Sequence, residues 1–155
     1  MKIRRFGFTL IELLVASAII IILAGGGLAA YLDFNNRQIL DTTADELKNN
    51  LRQARGWAMA GRKMADCNGN LVGYQVQFDT TNSQYKISII CPNTVWVTTF
   101  SYNSKVNLSL GRNPFVFQVL TGETGVKNAF NIALSLGSRS KRLEIQSNGE
   151  INYDD

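Results

Sequence analysis

The chain has no histidine among its 155 residues. It also lacks any CxxC or CxxH pair, any GxSxG turn and any glycine-rich phosphate loop. These absences remove the usual zinc donors, the commonest side chain for proton transfer near neutral pH and the common signatures of nucleophilic or nucleotide chemistry. No catalytic residue, metal ligand or cofactor is expected. Internal repeats and low-complexity linkers are absent too, and the length suits one ordinary domain plus an appendage.

Charge is scarcest near the beginning. Between Phe8 and Leu32 the only charged residue is Glu12. As a helix rising about 1.5 Å per residue, a run of this length would extend roughly 37 Å, more than the ~30 Å of a bilayer core. The segment is therefore expected to spend part of its life in a membrane. The formal net charge is +4, but Lys2, Arg4 and Arg5 all precede the apolar run. A chain beginning at Phe8 would carry thirteen bases against twelve acids, a net of +1. Basic residues ahead of an apolar segment hold that end in the cytoplasm, so everything after about Leu32 is expected outside it. Cys67 and Cys91 suit that placement. An even count in an oxidising compartment forms a disulfide, the alternative being two buried reduced thiols.

A basic stretch, residues 1–7, is followed by one long helix from Phe8 to about Lys63. Its first half is apolar all round. Its second half places Leu40, Ala44, Leu47, Leu51, Ala54 and Ala58 on one stripe, which is expected to pack on something while Arg37, Lys48, Arg52 and Arg55 face water. Three glycines, Gly25 to Gly27, interrupt the join. Either the helix persists through them and can extend locally, or they are small residues for close helix packing.

After Leu71 the period changes to two. Val72, Tyr74, Val76 and Phe78 alternate with polar neighbours, as do Tyr85, Ile87, Ile89 and Cys91. Further runs follow, separated by turn residues such as "DTTNS", "TGETG" and "SNG". The expected fold class is α+β: six to eight short antiparallel strands against one amphipathic helix.

An unpaired charge in hydrocarbon costs several kcal/mol, which makes Glu12 the residue to explain. Alone, it reads equally as a carboxylate snorkelling near the cytoplasmic face. In context, "RRFGFTLIELLVASAII" resembles the amino terminus of type IV pilins and of the pseudopilins of type II secretion. That resemblance implies a leader, residues 1–7, cut by a membrane prepilin peptidase between Gly7 and Phe8, with N-methylation of the new Phe8 amine. It implies a membrane and filament-core helix over 8–32 and an extracytoplasmic head over 33–155, amphipathic helix to about 65 and then sheet, the type IV pilin fold. Glu12 is then fifth in the mature chain, where the family's glutamate acts in assembly. A neighbouring subunit's Phe8 amine could pair with it in an apolar setting, where opposite charges attract strongly. The implied partners are other pilin or pseudopilin subunits, the peptidase/N-methyltransferase and an inner-membrane assembly platform.

"ADELKNNLRQARGWAMAGRK" and the late "RLEIQSNGEI" are similar to the minor, GspH/FimT-like members. Some of those capture DNA, which directs attention to Arg139, Lys141 and Arg142 at a supposed turn, with Arg112 nearby. Such a cluster could neutralise a few phosphates; it could equally be a solvated turn. Trp96, Phe100 and Tyr102 read either as core or as an exposed contact patch.

Overall fold

The computed structural model describes residues 9–63, 67, 69–92 and 95–154. It divides into two compact units, Met1–Asn36 and Arg37–Asp155, and one helix, α1 (Leu10–Met59), contributes to both.

In the first unit α1 stays helical through Gly25, Gly26 and Gly27. A Cβ built on Gly25 or Gly27 would meet nothing within 4 Å, so no packing inside the chain requires glycine at those two positions. The large apolar side chains from Leu10 to Phe34 are exposed. Among the described residues no helix is long and apolar enough to cross a membrane.

In the second unit the expected stripe is buried. Leu40, Ala44, Leu47, Leu51, Ala54 and Ala58 are each 3% exposed or less. The helix ends on a paired bond pattern: Gly61 N–H donates to Ala58 O and Arg62 N–H to Trp57 O, both at 3.0 Å. Gly61 has φ +57°, the left-handed cap that glycine adopts without strain. The helix therefore closes at Met59, ahead of the expected Lys63.

Eight strands follow among the described residues: β1 (Gly73–Asp79), β2 (Gln84–Ile90), β3 (Val95–Ser101), β4 (Asn107–Leu110), β5 (Phe115–Gln118), β6 (Phe130–Leu136), β7 (Arg139–Ile145) and β8 (Ile151–Asp154). They form two four-stranded antiparallel sheets, ordered β3-β2-β1-β5 and β4-β6-β7-β8. Alternation decides which side chains face inward. Across β1 and β2, Tyr74 sits opposite Ile89, Val76 opposite Ile87 and Phe78 opposite Tyr85, and all six are buried. In the second sheet Ile132 faces Leu143 and Ile145 faces Ile151. The two sheets meet where Phe115 packs edge-on to Phe130, ring centroids 5.0 Å apart. Phe100 stacks on Tyr85 at 5.3 Å, and Phe100 and Tyr102 pack against the core; the Trp96 side chain lies outside the description. The result is the α+β arrangement of a long helix on antiparallel sheets.

Cys67 and Cys91 are both buried and joined by a disulfide, Cα atoms 5.8 Å apart and 24 residues apart in sequence. It clips the segment after α1 to the end of β2.

Candidate assembly site and basic cluster

Gly7 and Phe8 lie outside the described residues, so the site begins at Thr9. Glu12 N–H donates to Thr9 Oγ1 at 3.3 Å, while Thr9 N–H and Thr9 O–H donate to Glu12 Oε2 at 3.2 and 3.1 Å. With Leu10 opening the helix, Thr9 is the N-cap and Glu12 its third residue, a reciprocal capping box. The carboxylate also complements the positive end of the helix dipole. The sequence carries the signal as Thr-x-x-Glu ahead of an apolar run. Both bonds from Thr9 end on Oε2, leaving Oε1 to accept a further donor. Capping and pairing with a neighbouring amine are therefore compatible.

Arg139, Lys141 and Arg142 stay together on β7, whereas Arg112 lies past the end of β4. β7 begins at Arg139, so Arg139, Lys141 and Arg142 sit in a strand rather than at a turn. Strand alternation sends Lys141 toward the buried row, opposite Leu134, and Arg142 to the exposed side, opposite Asp154. Lys141 Nζ is 2.7 Å from Asp41 of α1 and 5.0 Å from the Tyr153 ring centroid. Arg112 follows β4, whose Leu110 pairs with Ile132 of β6, whereas Arg139 pairs with Leu136 at the other end. Ile132 and Leu136 are four steps apart along β6, roughly 13 Å of chain. Arg112 instead borders a shallow recess with Gly125, Lys127 and Asn128.

Around Lys141 the second unit has a polar seam. Tyr153 O–H donates to the Asp45 carboxylate, and Lys48 Nζ lies 3.8 Å over the Tyr153 ring. Burial, then the hydrogen bond to Asp45, push the Tyr153 phenol well above the usual tyrosine range. Desolvation, then neighbouring Arg52, lower the Lys48 ammonium. Of the arginines expected to face water, Arg52 is exposed and Arg55 half-buried, and both also reach back to backbone carbonyls. Arg52 donates to Ile151 O and Arg55 to Asn148 O, both at 3.1 Å, tying α1 to the turn before β8. Sequence periodicity could not show this, because both carbonyls lie more than ninety residues away.

The prokaryotic N-terminal methylation motif matches residues 2–28. No curated protein and no solved structure matches the chain significantly.

Proposed function

We propose that the chain is a structural subunit of a type IV pilus or a type II secretion filament. The observation that carries this is the methylation motif over residues 2–28, a span that includes Gly7, Phe8 and Glu12 of this sequence. Prepilin peptidase cuts between Gly7 and Phe8 and the Phe8 amine is methylated, which keeps its charge. The helix over 8–32 anchors the subunit in the inner membrane, head outside the cytoplasm, until an assembly platform extracts it into a filament. Glu12 registers the incoming subunit against the Phe8 amine of its neighbour. The helix stripe, its glycine cap at Gly61 and the late strand-turn-strand favour the minor, GspH/FimT-like branch, either pilin or pseudopilin. Nothing in this role asks the chain to catalyse a reaction. The DNA-capturing alternative draws little support, since Lys141 is engaged by Asp41 and Arg112 stands at the far end of β6.

The test is processing. In membranes containing a prepilin peptidase, the full chain is expected to shorten by residues 1–7 and gain one methyl group on Phe8. A chain that keeps its first seven residues there is an anchored domain of another kind.

A further inference from the structure

A sheet can grow only at its edges. Three of the four edge strands, β4, β5 and β8, are four residues long, whereas β3 runs for seven. Val95–Ser101 carries no charge and no proline. Native proteins blunt open edges with such residues or with short strands, and β3 uses neither device.

The ladder shows which groups β3 leaves over. Tyr102 N–H donates to Ser83 O at 2.9 Å, on the register that pairs Phe100 with Tyr85, Thr98 with Ile87 and Trp96 with Ile89. Hydrogen-bonded pairs alternate along an antiparallel ladder, so those three pairs carry the bonds to β2. Val95, Val97, Thr99 and Ser101 therefore turn their N–H and C=O groups the other way. Among the described residues none of these groups has a backbone partner, and Thr99 and Ser101 are exposed. At the middle of the set, Thr98 Oγ1 is buried with no hydrogen-bond partner among the described residues, a state that native structures rarely leave unanswered.

We propose that β3 pairs antiparallel with β3 of a second copy, about a two-fold axis at Thr98. This register sets Val95 against Ser101 and Val97 against Thr99, and it engages every outward-turned residue of both strands. The two Thr98 residues then face each other as a non-hydrogen-bonded backbone pair, the closer kind, with Cα atoms about 4.5 Å apart. Each orphan hydroxyl meets its twin, a Thr–Thr contact that stabilises paired strands. That self-matching position selects a second copy over an unrelated strand. Charge does not oppose the pairing. Lys86 is the only charge on β2 or β3, and its two copies would stand about 16 Å apart, beyond a Debye length of about 8 Å. A two-fold pair closes on itself, so it adds a discrete dimer and does not rest on the filament assignment.

The test uses the full chain. In membranes of the cells that make it, a photo-crosslinking amino acid at Ser101 is expected to give a two-copy adduct joined through β3 of the second copy. Thr98→Val replaces the orphan hydroxyl with a methyl group. It is expected to melt no lower than the wild type, yet to dimerise about fivefold more weakly in detergent. Thr99→Pro deletes an outward N–H that β2 does not use, and Thr99→Lys keeps that N–H but sets two like charges about 8 Å apart. Both are expected to abolish the Ser101 adduct with the sheets intact by circular dichroism. A missing two-copy adduct, an adduct to other residues or to another protein, or wild-type dimerisation of Thr99→Lys overturns the pairing. Cleavage after Gly7 is scored separately, and its failure would overturn the filament assignment while leaving the β3 dimer standing.

Discussion

At the first turn of α1, Thr9 and Glu12 satisfy each other's backbone donors, and the same carboxylate is the one proposed to pair with a neighbouring subunit. Two substitutions separate these roles. Thr9→Ala removes the cap and is expected to cost the helix end about 1 kcal/mol, read as faster amide exchange in the first turn. Glu12→Gln keeps an acceptor of the same shape, since a capping box accepts Gln, but deletes the charge. Glu12→Gln is expected to be cleaved normally, hold its first-turn amides and fail to enter filaments. Assembly of Glu12→Gln at the wild-type level would make the residue a cap alone. A second residue gives a pH handle. Side-chain bonds from Asn82 and Gln84 hold the exposed Asp79 carboxyl below the usual carboxylate range. A lowered folded value means the β1–β2 turn gains stability above the ordinary aspartate pKa and loses it as pH falls through the folded one. Asn82→Ala is expected to bring the Asp79 titration, followed by NMR, back up toward ordinary aspartate.

Elements meet most tightly where the turn before β8 reaches α1. Gly149 has φ +78°, and a Cβ there would fall on the Gly122 carbonyl oxygen and 3.0 Å from Arg55 Nε. Gly149→Ala is therefore expected to cost more than ~2 kcal/mol, a fall in Tm of roughly 4–8 °C. The Cys67–Cys91 bridge closes a 24-residue separation, worth roughly 3 kcal/mol in a chain-entropy treatment. A Cys67→Ser, Cys91→Ser chain is expected to lose about that much in denaturant unfolding while keeping its sheets. At this scale the sequence was a good guide to periodic features and a poor one to their partners. The spacing of Leu40 through Ala58 announces a buried face because a helix repeats every 3.6 residues, and Tyr74, Val76 and Phe78 announce a strand because a strand repeats every two. Arg139 opens β7 directly after the two-residue turn at Gly137 and Ser138, Gly137 having φ +61°. That local signal marks the start of the strand, four residues ahead of its first apolar side chain, Leu143.

For the whole molecule, the change of period from 3.6 to two indicates one long helix followed by many strands, and the structure has that balance. The division into two sheets was not legible. β5 leaves its sequence neighbours to pair with β1, and β4 pairs across to β6, pairings that no local pattern announces. Nor was the polar seam of Asp41, Asp45, Lys141 and Tyr153, which joins residues a hundred positions apart. The residues proposed to act in processing and assembly, by contrast, are close in sequence and fall within a short motif, so that proposal needs no knowledge of the fold. The measurement that bears most directly on the account is intact mass spectrometry of filaments sheared from native cells, set against the membrane fraction. The account predicts this chain in the filaments, beginning at a methylated Phe8. Its confinement to membranes with residues 1–7 still attached would contradict it.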